Sequence, residues 1–535
     1  MKRVISLLLA VVMLSGISVV AYADETEAKT YNYVAFGDSI ASGFGLSSES
    51  GDLPSDPAIM VTEDLIADPV KAAYPAVFGE LLNEIGETYG YTTKATNLAA
   101  TAYRAQDVTR ALQTEGFKGE IAEWIFEKFN GEGSSAPLAD YHDIFNKYLS
   151  EADLVSVQLG GNDMVMAILE PCVFSDNPIM QAVGMAVMLT LFGEDAKTVA
   201  GGALMVLSKA DEITVEDAVE AAEYFSSVVK NKESYVVDSA ANVKTTVETI
   251  QSINSDADVA LVGMFNPYGN SLEYKGQVRD LCTVISNIFS ASLALAGENC
   301  GKYGEVDVID DEEIEGKNEE FTENVEELSA CEKGTERFKA LLGIVAEEIS
   351  YPLQYLAVGR NVDSQITSLN EKLKAIADET GAIYVDVYGI DNECNLDPHP
   401  DENGHKQIAN IMSYTLSDTI LSRMGVEIDP ESEQDPVIGD ADGDGQITII
   451  DVTLIQCYYA NMIDMYLGVR VLDIDCDGSV TVVDATWLQR KIVAMPMPGY
   501  INSRFCHHYS PYMYPGYYPA FGYYPGCYPG YFPVH

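Results

Sequence analysis

The chain has 535 residues, of which 83 are Asp or Glu and 31 are Lys or Arg, so its formal net charge is −52. The hydrophobic fraction of 47% is sufficient for a sizeable core, which excludes intrinsic disorder for most of the chain. The acidity excludes nucleic acid as a partner, since polyphosphates bind clustered Lys and Arg, and it favours divalent cations and neutral polymers.

The first 23 residues have the features of a secretory signal peptide. Lys2 and Arg3 precede the apolar stretch Val4–Val20, and Ala21-Tyr22-Ala23 is a small-residue cleavage site. We therefore expect a secreted, extracellular protein. An uncleaved anchor is disfavoured because the apolar stretch is short for a spanning helix, and no later segment is predicted to span a membrane. The most apolar of them, Pro178–Gly193, is predicted to be a buried helix.

Residues 31–425 alternate short β-branched apolar runs with long helical patterns. The predicted strands are Tyr33–Phe36, Thr93–Leu98, Leu154–Leu159, Val259–Met264 and Ile383–Val387. This alternation predicts an α/β fold, a three-layer α/β/α sandwich with a central parallel sheet. Long insertions with helical periodicity separate the last three strands, among them Val215–Val229 and Val243–Ile253. Connections of that length are usually functional, and we expect them to cap one edge of the sheet.

Polar motifs follow four of the predicted strands. They contain Ser39 after the first strand, Ala102 after the second, Asn162 after the third, and Asp397 with His399 after the fifth. Because loops at the carboxyl ends of parallel strands meet in one crevice, these residues are predicted to lie together. A serine, an amide donor and a histidine beside an aspartate are the groups that acyl transfer needs.

These four blocks resemble those of the GDSL esterases, also called SGNH hydrolases. The resemblance implies that Ser39 is the nucleophile, His399 the general base and Asp397 the acid that orients it. It also implies an oxyanion hole formed by the side chain of Asn162 and the backbone N–H groups of Ser39 and Ala102. No cofactor is expected for this reaction.

Two departures from that family concern Ala102 and Asp397. Ala102 stands where the family usually has glycine, and Asp397 precedes His399 by two residues where the family has three. Asp397 either completes a catalytic triad or leaves a Ser-His dyad oriented by a backbone carbonyl. Three neighbouring polar residues are predicted to be structural, namely Asp38 in the nucleophile turn, Asp163 in a turn, and His405 at the start of the domain's last helix.

After a charged, proline-containing linker at residues 426–437, an acidic segment occurs twice, as Asp440–Asn461 and Asp473–Ala494. Each copy places oxygen-bearing side chains at the positions of an EF-hand calcium loop, with glycine at the sixth position. The predicted ligands of two structural calcium ions are Asp440, Asp442, Asp444, Gln446, Asp451, Asp473, Asp475, Asp477, Ser479 and Asp484.

A calcium loop followed by a helix, duplicated within residues 438–496, resembles a type I dockerin, a small all-α calcium-binding module. The resemblance implies docking to a cohesin domain of a scaffold protein, and hence association with a cellulosome. Ile449, Ile450, Val482 and Val483 occupy positions where dockerins carry recognition residues. The final segment, residues 497–535, is rich in Tyr, Pro and Gly and is predicted to be an extended or disordered tail.

Together these features predict a secreted, cellulosome-associated serine esterase. The dockerin implies plant cell wall as the working environment, so deacetylation of cell-wall polysaccharide is the expected reaction. One alternative is a lipase-like or thioesterase-like hydrolase of small acyl esters, and another is a non-catalytic scaffold component that only binds.

The nine cysteines show no CxxC spacing. The sequence therefore indicates neither a zinc site nor a disulfide framework.

Overall fold

The computed structural model describes residues 29–46, 69–117, 141–191, 196–210, 212–267, 272–298, 300–309, 311–357, 360–390, 397–426, 438–441, 446–460, 472–475 and 480–497. They belong to two compact units, one with the sheet and one with two C-terminal helices. The predicted signal peptide lies outside the described residues, as do the predicted linker and tail except for their first residues, 426 and 497.

The first unit is built on a five-stranded sheet in which all strands are parallel, in the order β2-β1-β3-β4-β5. The strands are β1 (Lys29–Gly37), β2 (Tyr91–Asn97), β3 (Leu154–Gln158), β4 (Asp258–Val262) and β5 (Ile383–Val385). Every residue of the central strand β3 is buried, so both faces of the sheet are covered. The predicted α/β fold with a parallel sheet is confirmed.

The helices of this unit, in chain order, are α1 (Ser39–Ser42), α2 (Tyr74–Thr88), α3 (Ala105–Gln113), α4 (Tyr141–Leu149), α5 (Gly161–Val173), α6 (Pro178–Leu191), α7 (Ala196–Lys209), α8 (Val215–Lys230), α9 (Lys232–Ile253), α10 (Leu272–Leu295), α11 (Asp311–Ala330), α12 (Glu336–Glu348), α13 (Tyr351–Ala357), α14 (Arg360–Thr380), α15 (Glu402–Thr415) and α16 (Ser417–Arg423).

Two sets of these helices pack around the sheet. One set is α2 and α15, which contact each other. Helix α2 also contacts β2, and α15 contacts β5. The other is α3, α9 and α14, with α9 between its two partners and α14 against β4 and β5. Gly79 lets α2 approach β2 closely, because a Cβ at this position would lie 2.4 Å from the Cβ of Ala95.

The insertions fold into helices with an apolar core of their own. Helices α6 to α8 and α10 to α12 bury a second hydrophobic cluster, separate from the core around the sheet. Local sequence determines where α8 begins. The side chain of Thr214 caps this helix, and the carboxylate of Asp217 accepts a hydrogen bond from the backbone N–H of Thr214 over 2.7 Å. The insertion is thus a packed layer, and part of it reaches the site described below.

Helix α10 contains one stretch, Tyr274–Leu295, that is long and apolar enough to cross a membrane by length and composition alone. Its large apolar residues recur at helical spacing, and Tyr274, Cys282, Phe289 and Leu293 are fully buried in the second core. A buried stripe of this kind is what a core helix requires. The packing of α10 therefore accounts for its hydropathy.

The second unit contains α17 (Ile449–Tyr459) and α18 (Val482–Ile492), which contact each other. Each helix begins with the same capping box, Thr448 with Asp451 in α17 and Thr481 with Asp484 in α18. Both follow a predicted calcium loop, as the sequence repeat indicated. The predicted ligands Asp442, Asp444, Asp477 and Ser479 lie outside the described residues.

Candidate functional site

Ser39 is the first residue of α1, directly after the end of β1. Asp38 caps this short helix, and its Oδ1 accepts a hydrogen bond from the backbone N–H of Ile40 over 3.0 Å. The carboxyl group of Asp38 is buried, and this burial raises its pKa to about 7. Gly37 is needed before it, because a Cβ there would lie 2.4 Å from the Cβ of Ala41. The turn therefore holds Ser39 at the carboxyl end of β1.

Ala102 lies in the loop after β2 and has a backbone φ of 63°. A residue with a Cβ rarely occupies this left-handed region, at a cost of about 1 kcal/mol. The alanine is buried in a small apolar cluster with Met166, Leu169 and Met188. Contacts made by its methyl group thus offset the cost of the conformation. This is the position at which the family resemblance leads one to expect glycine.

Asn162 stands in the first turn of α5, after β3. Its side-chain Nδ2 donates a hydrogen bond to the backbone carbonyl of Tyr103 over 3.1 Å. The next residue, Asp163, is buried and accepts hydrogen bonds from the backbone N–H of Ala105 at 2.8 Å and from the Asn242 amide at 2.9 Å. Its carboxylate therefore joins α5 to the start of α3, which makes Asp163 more than the turn residue that we predicted.

A buried ion-pair group that sequence reasoning missed supports the same junction. Arg104 is 4% exposed and makes two hydrogen bonds to the carboxylate of Asp107, at 2.9 and 3.1 Å. Its third contact, at 2.6 Å, is to Glu170 near the end of α5. The i, i+3 spacing of Arg104 and Asp107 could have suggested the first pair. No local signal marks Glu170, which is 66 residues away in the chain.

The hydrogen bonds and the burial of the His399 side chain matter most for the chemistry of the site. Its Nδ1 lies 2.5 Å from Oδ1 of Asp397, and the same oxygen accepts the backbone N–H of His399 at 3.1 Å. The imidazole is 7% exposed and lies against the ring of Phe44, with 4.7 Å between centroids. Its other nitrogen, Nε2, is buried and has no hydrogen-bond partner among the described residues.

His405 also has a hydrogen-bonded Nδ1 and a buried Nε2 with no partner among the described residues, but its Nδ1 contacts the backbone and not a carboxylate. It is fully buried, and its Nδ1 accepts the backbone N–H of Tyr74 at 3.1 Å. Burial lowers its pKa to about 3, and the neighbouring His399 acts in the same direction. The ring is therefore neutral and ties α15 to the start of α2, which is the structural role that we predicted.

One cavity of about 120 Å³ brings these residues together. Ser39, Ala102, Asn162 and His399 all line it. Asp397 contributes through its contact with His399. Most of the remaining lining is apolar, and part of it comes from α6, a helix of the insertion. Its apolar members include Met164, Met166, Met188, Leu191, Met264, Phe265 and Ile366. The prediction that Val243–Ile253 caps the sheet edge is wrong, because this segment lies in α9 and packs in the core around the sheet.

In the C-terminal unit, the aspartates that close the two predicted calcium loops are fully buried. Asp451 accepts the backbone N–H groups of Ala441 at 2.7 Å and Thr448 at 2.6 Å. Asp484 makes the equivalent hydrogen bonds, at 2.6 Å each, to the N–H groups of Ile474 and Thr481. The last aspartate of each loop thus ties the loop's start to the following helix.

Residues 438–493 match the type I dockerin domain. Two solved Streptomyces structures are similar to the chain, phospholipase A1 from Streptomyces albidoflavus and an extracellular lipase from Streptomyces rimosus. Each is 13% identical over 70% of this chain and 94% of its own, with a TM-score of 0.28. At that score neither similarity supports an argument. No curated protein matches the chain.

The second loop of the dockerin domain has a donor set that fits calcium. Carboxylate oxygens of Asp473, Asp475 and Asp484 lie within 4.8 Å of one another. Burial raises the pKa of Asp484 to about 6, and the nearby charge of Asp475 also raises it. Converging hard oxygen donors suit Ca²⁺, whose charge would offset this repulsion. Asp440, Gln446 and Asp451 would contribute the described part of the first loop.

The dockerin domain also exposes aliphatic side chains at equivalent positions of its two helices. Ile449 and Ile450 open α17 and are 59% and 55% exposed. Val482 and Val483 open α18 and are 49% and 45% exposed. Paired exposed aliphatic residues of this kind are typical of a partner-binding surface.

Proposed function

We propose that the protein is a serine ester hydrolase that its dockerin domain attaches to a scaffold. The observation that carries the proposal is the state of His399. Its Nδ1 is engaged by the carboxylate of Asp397, and its Nε2 is buried with no hydrogen-bond partner among the described residues, while the residue lines the same cavity as Ser39. With Nδ1–H donating to Asp397, the lone pair of neutral imidazole resides on Nε2, where a general base needs it.

In the proposed reaction, Nε2 of His399 takes the proton of the Ser39 hydroxyl as Oγ attacks the ester carbonyl. The tetrahedral intermediate then collapses, and the alcohol leaves with the proton from Nε2. This step gives an acyl ester on Ser39. A water molecule next attacks this ester, again losing a proton to Nε2, and collapse releases the carboxylic acid and returns the proton to Ser39.

The negative charge of each intermediate is assigned to an oxyanion hole. Its donors are the backbone N–H groups of Ser39 and Ala102 and the side-chain amide of Asn162. Their joint presence at the cavity supports this assignment. Donors fixed in advance by surrounding hydrogen bonds stabilise developing charge without reorganising, and each is commonly worth 10²–10³ in kcat.

The dockerin domain supports the second half of the proposal. A dockerin implies a cohesin domain as partner, two structural calcium ions, and extracellular work within a cellulosome. The exposed pairs Ile449 with Ile450 and Val482 with Val483 are proposed to contact the cohesin. The predicted leader at residues 1–23 would direct export.

Acetylated plant cell-wall polysaccharide is the substrate predicted from that setting. The apolar lining of the cavity favours a second candidate, an acyl ester whose acid portion is itself apolar. A sugar hydroxyl buried against such a wall would lose its hydrogen bonds with water without replacement.

The decisive experiment is labelling with a fluorophosphonate, which reacts with activated serines, combined with hydrolysis of p-nitrophenyl butyrate. We expect the label on Ser39 and a loss of at least about 10³-fold in kcat for Ser39→Ala. Ser208→Ala, on the exposed end of α7, serves as the matched control. No label and no hydrolysis in the wild-type chain would favour the non-catalytic scaffold component instead.

A further inference from the structure

The cavity beside Ser39 has two chemically different parts. Its polar lining consists of Asp38, Ser39, Thr101, Asn162 and His399. These residues lie in the turn that holds Ser39, in the loop after β2, in the first turn of α5 and at the position of the proposed base. The rest of the wall is formed mainly by thioether, aliphatic and phenyl side chains. A substrate group that enters the cavity therefore meets a mainly apolar surface.

The size of the cavity sets the length of that group. An apolar cavity of about 150 Å³ holds benzene, which has six carbons, so a volume of about 120 Å³ holds on the order of five carbons. An acetyl group would leave more than half of this space unfilled. An unbranched acyl chain of about four or five carbons would fill it.

Part of the cavity wall comes from the helical insertion. Met188 and Leu191 lie near the end of α6, and both line the cavity. Met188 is buried in the cluster that also contains Ala102, so this part of the wall contacts the loop after β2 directly. The side chain of Leu191 is half-buried at the last residue of the helix. Substrate length is thus limited by residues outside the catalytic motifs.

Four methionines contribute to the lining, Met164, Met166, Met188 and Met264. Unbranched thioether side chains adjust to the shape of an apolar neighbour more easily than branched ones do. They suit a pocket that accepts chains of related lengths. Each methylene buried there is expected to raise kcat/KM by about fourfold until the cavity is full.

We propose that this cavity is an acyl-chain pocket for esters of short aliphatic acids of about four or five carbons, and that Leu191 and Met188 set the chain length. This inference rests on the proposed ester hydrolase function and narrows its substrate class. The alcohol portion of the ester is left outside the pocket, so either a lipid or a small ester of such an acid would qualify.

The test is a series of p-nitrophenyl esters, from acetate through butyrate and octanoate to dodecanoate. We expect kcat/KM to rise at least tenfold from acetate to butyrate and to fall for octanoate and dodecanoate. Leu191→Trp should lower the ratio of butyrate to acetate activity at least tenfold. Leu204→Trp is the matched control, since this leucine is 54% exposed on α7 of the same insertion, and the ratio should stay at its wild-type value.

Three outcomes would overturn the inference while leaving ester hydrolysis standing. They are a preference for acetate over butyrate, faster acetyl release from xylan than butyrate hydrolysis, and an unchanged ratio of butyrate to acetate activity in Leu191→Trp together with the same result in Met188→Phe. Absence of hydrolysis with every ester would instead reject the proposed function, and the pocket assignment with it.

Discussion

The carboxylate of Asp163 accepts the backbone N–H of Ala105 at 2.8 Å, and it thereby joins the helix that presents Asn162 to the first residue of α3, three residues after Ala102. The two residues are 58 positions apart in the chain. Through this contact, two donors of the proposed oxyanion hole, one from a side chain and one from the backbone, belong to a single hydrogen-bonded unit.

Asp163→Ala tests whether this unit positions the donors. The change leaves the buried N–H of Ala105 without its acceptor, which costs about 1–3 kcal/mol of stability. We expect kcat to fall about tenfold to a hundredfold with little change in KM, because the donors act on the transition state. Asp217→Ala removes a comparable hydrogen bond to a backbone N–H, that of Thr214 in the insertion, and should leave kcat unchanged. Equal kcat in both variants would reject a positioning role for Asp163.

Asp397→Asn distinguishes the triad from the dyad. An amide cannot hold His399 in the tautomer with its proton on Nδ1 as a carboxylate does, so kcat should fall by about 10²–10⁴ if Asp397 orients the base. Asp401→Asn is the matched control, since Asp401 caps α15 four residues along and accepts the N–H of Gly404. Wild-type activity in Asp397→Asn, with His399→Ala inactive, would establish the dyad.

His405 should make the α/β unit sensitive to acid. Its pKa is lowered to about 3 in the fold, so below the ordinary value of about 6.5 the unfolded chain binds a proton that the folded chain excludes. Stability is therefore fully present above pH 6.5 and is lost on acidification, by up to about 1.4 kcal/mol per pH unit. His405→Asn keeps an acceptor for the N–H of Tyr74 and should flatten this slope.

The dependence of stability on pH can be measured as the urea concentration at which half of the ester hydrolysis is lost, determined at several values between pH 4 and pH 7. His405→Asn is expected to be less stable than wild type at pH 7, where it leaves a small cavity. The informative quantity is the difference in urea midpoint between wild type and His405→Asn at each pH. If that difference is constant across the range, His405 does not contribute to the acid sensitivity.

Calcium removal should separate the two functions of the chain. Without the cation, the converging carboxylates of Asp473, Asp475 and Asp484 oppose closure of the second loop. We expect a chelator to unfold residues 438–496 and abolish cohesin pull-down, while hydrolysis continues. Returning calcium to about a hundred times its dissociation constant should restore about 2.7 kcal/mol of stability together with pull-down. Chelator-resistant pull-down would contradict the calcium assignment, and parallel loss of hydrolysis would contradict independence.

The inner strands of the sheet were predictable because a parallel strand buried on both faces is a continuous apolar run, whereas the edge strand β2 is largely polar and only partly buried. All five strands occur where the sequence places them, yet β1 begins at Lys29 rather than Tyr33. Its first residues are polar, and their pairing with β2 has no hydrophobic signal. The positions of Ser39, Asn162 and His399 at one cavity follow from the rule that strand ends converge.

Other features had no local signal. The contact of Arg104 with Glu170 depends on how α5 turns against the loop after β2. The presence of Leu191 in the cavity depends on the packing of the whole insertion, because a helix pattern shows which face is buried but not against what. The left-handed backbone of Ala102 was equally hidden, since alanine normally avoids that region.

The placement of the insertion between strands also has a kinetic consequence. Strand β4 ends at Val262 and its neighbour β5 begins at Ile383, so the last strand can join only after a long helical segment has been synthesised and brought back. The helices between them make contacts that are closer in sequence, which form faster than a pairing of high contact order. We therefore expect refolding to pass through a state with most of its helical circular dichroism and no enzymatic activity. His399 follows β5, so the proposed catalytic base reaches the cavity only when this last strand joins the sheet.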